Sequence, residues 1–129
     1  MTFEGRRNER GDAGVEAVLV VPVLLFLILV VLQAGLWFHG AQVVEAAAQE
    51  GVRAGRVETG TAAAAEDRAR QFVVALSPSI ASTANVRASR TAATTSVTVS
   101  GRVQAVVPGL GLTVSGSAEA PTERFRDDR

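Results

Sequence analysis

The chain has no cysteine, no tyrosine and no lysine, and His39 is its one histidine. Without cysteine there are no disulfides, no thiolate nucleophile and no thiolate zinc site, so an exported portion must fold without covalent staples. One imidazole cannot build a histidine metal site, and no metal or cofactor is expected. His39 reads as an interfacial residue rather than a catalytic base. Ser77, Ser79 and Ser82 read as turn serines, and the acids of the second half are dispersed, so no catalytic residue is assigned and no enzyme is expected. The formal net charge is +0, which supplies no whole-chain field for nucleic acid. All 13 basic residues are arginine, which reads as the codon bias of a GC-rich genome.

Against this sparse chemistry stands one long uncharged run, the 22 residues from Ala17 to Phe38, diluted only by Gln33 and Gly35. As a helix it extends about 33 Å, enough for a hydrocarbon core of about 30 Å. A chain of 129 residues has too little left over to wrap a helix that is apolar all round, which argues against a buried core helix. A cleavable export signal would place small residues at Ala46-Ala47-Ala48, with a mature start near Gln49. The apolar core of such signals is usually about 7–15 residues, shorter than this run. An uncleaved span is the preferred reading.

Arg6, Arg7 and Arg10 crowd the amino-terminal flank, whereas the first arginine beyond the run is Arg53. By the positive-inside rule the amino terminus stays cytoplasmic and everything after His39 crosses the membrane. Trp37 and Phe38 form the expected outer interfacial anchor. Pro22 removes one helical donor a turn inside the run and predicts a kink.

Residues 41–57 continue as helix by propensity, with Val44, Ala47, Ala48 and Val52 on one stripe. Gly51 and Gly55, four apart, read as a loosening helix end rather than a close helix contact. Thr59-Gly60 breaks the helix. A second one is expected over 61–76, with Ala65, Ala69, Phe72, Val73 and Leu76 inward and Glu66 paired to Arg70. Ser77-Pro78-Ser79 ends it. Residues 85–90 form a weak first strand. Val97, Val99, Val103, Ala105 and Val107 share one parity and predict a half-buried strand, with Gly101 as a bulge. Pro108-Gly109-Leu110-Gly111 is a turn, beyond which Leu112, Val114, Ala118 and Ala120 alternate again. The fold class is therefore α+β: a single N-terminal transmembrane helix continuing into an exported helix, then a second helix and a small antiparallel β-sheet. The expected segments are 1–11 as a cytoplasmic leader, 12–40 as the span, 41–60 as a helical stalk, 61–120 as the exported domain and 121–129 as a solvated charged tail.

Glu16 stands at the membrane edge, where a carboxylate is costly, and it follows Gly11 by five residues. Gly11-Asp12-Ala13-Gly14-Val15-Glu16 resembles the prepilin-type leader of type IV pilins. In that resemblance a membrane peptidase cuts between Gly11 and Asp12, and Glu16 becomes the fifth residue of the mature chain. The run from Arg10 to Leu25, with Val15-Glu16 and then Val21-Pro22, is similar to the opening of TadE-like proteins. Ala46-Ala47-Ala48-Gln49-Glu50-Gly51-Val52-Arg53-Ala54 is similar to a second segment of that family. Two positions depart from its pattern: Ala17 stands where phenylalanine commonly follows the glutamate, and Asp12 is acidic directly after the cut.

The resemblance implies a minor pseudopilin of tight-adherence (Flp-type) pilus assembly in a bacterial plasma membrane. Its implied partners are a prepilin peptidase, other pilus-assembly pseudopilins, membrane platform proteins and the lipid bilayer, with no nucleic acid. It also implies that Glu16 pairs with the new α-amine of a neighbouring subunit on assembly. The alternative is a membrane-tethered extracytoplasmic binding domain unrelated to pili.

Overall fold

A computed structural model describes residues 5–124, with side chains from residue 11 onward. The leader side chains Arg6, Arg7 and Arg10 therefore lie outside the described residues, as do residues 1–4 and 125–129. Helix α1 runs unbroken over Gly5–Arg56, through Pro22. It is followed by α2 (Ala62–Leu76), a short α3 (Pro78–Ala81), and the strands β1 (Asn85–Arg90), β2 (Thr94–Arg102) and β3 (Thr113–Pro121). The strands form an antiparallel meander in the order β1-β2-β3. The architecture is α+β, with one helix long and apolar enough to cross a membrane among the described residues.

Local chemistry sets the element ends. Thr61 caps α2 by accepting from the Ala64 N–H at 3.0 Å. Ser77 closes α2 through its own N–H to the Val73 carbonyl and at once opens α3, with Pro78 in the first helical position where no donor is needed. The α1 C-terminus leaves carbonyls without helical partners. Arg90 of β1 supplies donors there, bonding the carbonyls of Gly55 at 2.9 Å, Val57 at 3.1 Å and Glu58 at 3.3 Å.

One sheet face is covered by the two helices. Val44, Ala47, Ala48 and Val52 of α1 and Ala65, Ala69 and Val73 of α2 meet Val86, Val97, Val99 and Val114 of the sheet. The core is thus alanine and valine, and such small side chains let backbones come close. Gly51 and Gly55 serve that approach. A β-carbon on Gly51 would lie 2.9 Å from the Ala65 carbonyl oxygen, and one on Gly55 would lie 2.8 Å from the Ala65 β-carbon. Close α1–α2 contact, rather than loosening alone, explains these glycines. Gly116 does the same for β3, where an added β-carbon would meet the Glu45 amide nitrogen at 2.6 Å.

Several details differ from the sequence pattern. Strand β2 ends at Arg102, so Val103, Ala105 and Val107 belong to a loop. Register is continuous through Gly101, which pairs with Val114 without a bulge. The glycine is needed because the Ile80 side chain would sit 2.7 Å from its β-carbon. Leu76 is exposed, and Ile80 of α3 fills the core below α2 in its place. Glu66 accepts from the Ala88 N–H at 3.3 Å instead of pairing with Arg70. The start of the charged tail is tied down: the Glu123 N–H reaches the Arg56 carbonyl at 2.8 Å, and Thr122 shares a 2.8 Å hydroxyl contact with buried Thr95.

Candidate functional site

The candidate site is the amino-terminal half of α1. Its apolar side chains from Val15 to Leu32 are mostly exposed, and no other described element packs on them. Gly11, Asp12 and Glu16 lie on this bare part and are themselves exposed. Asp12 and Glu16 are four residues apart, so they share one helix face about 6 Å apart along the axis. No ion pair among the described residues includes Glu16. Pro22 lies inside the same stretch. Trp37 and Phe38 stand roughly 32 Å along the helix from Glu16, at the far end of the apolar run.

The bare surface stops at Gln33, whose side chain is wholly buried. Its amide oxygen accepts from the Val106 N–H at 2.7 Å and the Val107 N–H at 3.3 Å, and its amide nitrogen donates to the Gln104 carbonyl at 3.2 Å. One turn on, the Trp37 indole donates to the Thr113 carbonyl at 3.2 Å. Gly40 then receives Ile80 and Val103, each 3.0 Å from where its β-carbon would be. Phe38, about 100° round the helix from Trp37, remains 61% exposed. The helix is thereby divided into an unpacked apolar rod and a packed carboxy-terminal half that is the spine of the folded head.

Gln33 is the residue that sequence reasoning passed over. Its signal was present, since it is the one amide side chain in the uncharged run. A lone amide in such a run needs partners, because an unsatisfied polar group among apolar neighbours is expensive.

Residues 11–53 match the family model described as TadE-like protein. This segment is similar to that family. The match begins at Gly11, takes in Glu16, Pro22 and Gln33, and ends at Arg53, all within α1. No curated protein and no solved structure matches the chain. The matched segment thus takes in the bare rod and nearly all of the spine, while α2 and the sheet lie beyond it.

Proposed function

We propose that the chain is a minor pseudopilin of tight-adherence pilus assembly, anchored by α1 with its amino terminus in the cytoplasm and its head outside. The observation that carries this reading is the coincidence of three features at one place. The TadE-like match starts at Gly11, Glu16 follows at the prepilin spacing, and the apolar surface after it is left bare by the described residues. A surface of that size needs lipid or neighbouring helices to cover it. Both coverings are apolar, so the same rod suits the membrane before assembly and a bundle of like helices after it.

In this reading a prepilin peptidase cuts between Gly11 and Asp12. The new α-amine and the Glu16 carboxylate of adjacent subunits then neutralise each other where neither tolerates burial alone. Pseudopilins and membrane platform proteins are the partners, and the role is structural rather than enzymatic. A signal-type cut near Gln49 is disfavoured by the fold, because Val44, Ala47 and Ala48 are core residues that such a cut would remove.

The test is the amino terminus of the membrane-extracted protein, read by mass spectrometry after co-expression with a prepilin peptidase. A start at Asp12 that disappears with Gly11→Val is the expected result. A start at Met1 in the presence of an active peptidase supports the tethered binding domain instead.

A further inference from the structure

The loop between β2 and β3, residues 103–112, carries no charged side chain, and Gln104 is its only polar one. Its tip is Val107-Pro108-Gly109-Leu110, closed by the Leu110 N–H to the Val107 carbonyl at 3.1 Å, with Gly109 at φ 80°. Leu110 is 42% exposed, and Pro108, Gly109 and Gly111 are exposed beside it. An uncharged loop tip with an outward leucine is unusual for a surface connection, which water ordinarily selects to be polar.

The position of this loop along α1 supplies the reason. A bilayer core takes about 20 helical residues, which counted from Ala17 ends near Leu36. The loop is bonded to the helix at Gln33, short of that limit, and Thr113, the first residue of β3 after it, is bonded at Trp37, just past it. It therefore runs beside the last turn of the span, not above it. Irregular backbone is tolerated at that depth only where protein groups satisfy it. Gln33 accepts from two consecutive loop N–H groups, the Val103 N–H reaches the Leu112 carbonyl at 2.9 Å, and Trp37 occupies the Thr113 carbonyl.

We infer that this loop is a second membrane contact: the tip around Pro108 and Leu110 enters the outer leaflet at the boundary between headgroups and acyl chains. Its ligand is the phospholipid bilayer itself. The inference rests on the reading of α1 as a membrane span. Two contacts on different sides of the helix, Phe38 and the loop tip, fix the rotation of the head about α1. The head is thereby seated on the membrane surface, and Leu110 must leave lipid when the subunit is extracted.

The chain has one tryptophan and no cysteine, so single labels can be introduced into the full chain without removing others. We would reconstitute it in phosphatidylcholine–phosphatidylglycerol vesicles and attach an environment-sensitive fluorophore to Leu110→Cys. Ala92→Cys, at the tip of the β1–β2 hairpin, and Leu24→Cys, in mid-span, serve as references. The expected result is several-fold stronger quenching of the Leu110 label than of the Ala92 label by lipids brominated near the headgroup, with native Trp37 quenched alongside it. A Leu110 label that behaves like Ala92 while Leu24 is quenched overturns the inference and leaves the span intact. A Leu24 label untouched by brominated lipid overturns the span reading and the inference together. A Leu110 label that stays shielded from lipid even at low protein density, while cross-linking to the same position of another copy, identifies a second copy of the chain as the occupant, and also overturns it.

Discussion

At the scale of single residues, Gln33 does more than its neighbours in the apolar run. Three hydrogen bonds converge on its amide, and all come from backbone more than seventy positions away. Replacing it by alanine leaves two N–H groups and one carbonyl without partners. A buried group left unsatisfied costs about 1–3 kcal/mol, so Gln33→Ala should release the loop before it unfolds the head. Hydrogen exchange at Val106 and Val107 checks this: their protection should fall by at least tenfold while that of Val97 and Val99 is unchanged. The sequence marks Gln33 as an anomaly but does not name its partner, because a carbonyl and two amides carry no residue-type signature.

At the scale of elements, the strongest constraint is helix on strand at close range. Gly116 lets β3 lie against the backbone of Glu45 and Val44, where an added methyl would come within 2.6–2.8 Å of main-chain atoms. Backbone cannot rotate aside as a side chain can, so Gly116→Ala should destabilise the head by about 1–3 kcal/mol through overpacking. Gly35→Ala is the matched control, since nothing lies within 4 Å of its β-carbon, and it should be neutral or slightly stabilising through helix propensity. Thermal unfolding in detergent, followed by circular dichroism, separates the two. Much at this scale was legible beforehand. Strand β1 occupies 85–90, where a weak strand is expected, and the Ala65–Ala69–Val73 face of α2 is the buried one. The end of β2 was not legible, because Val103 and Val107 keep the parity of Val97 and Val99 and are buried as well. They are buried in the loop that folds onto α1, and parity alone cannot tell that from a longer strand. Gly51 and Gly55 illustrate the same ambiguity: they lie at the end of a helix and against another one.

At the scale of the whole molecule, α1 is one helix with two surroundings. Its carboxy-terminal half is the spine of an alanine–valine core, and its apolar surface from Val15 to Leu32 is left mostly exposed by the other described residues. On the proposed reading the two halves act separately, the rod in membrane and assembly, the spine in holding the head. Glu16→Gln should then leave head stability and the lipid exposure of Leu110 unchanged while lowering cross-linking to neighbouring pilus subunits several-fold. Unaltered cross-linking with a correctly trimmed terminus would remove Glu16 from the assembly contact.

The sequence by itself determined the long apolar helix, the second helix after it and the presence of a small antiparallel sheet. These follow from composition and periodicity within a few turns of chain, where burial pattern and backbone geometry are directly coupled. Only the tertiary structure decided where the bare rod stops, which glycines admit a neighbouring backbone and that the β2–β3 loop clasps Gln33. Those outcomes depend on groups distant in sequence meeting at ångström range, and local pattern holds no record of which surfaces will meet.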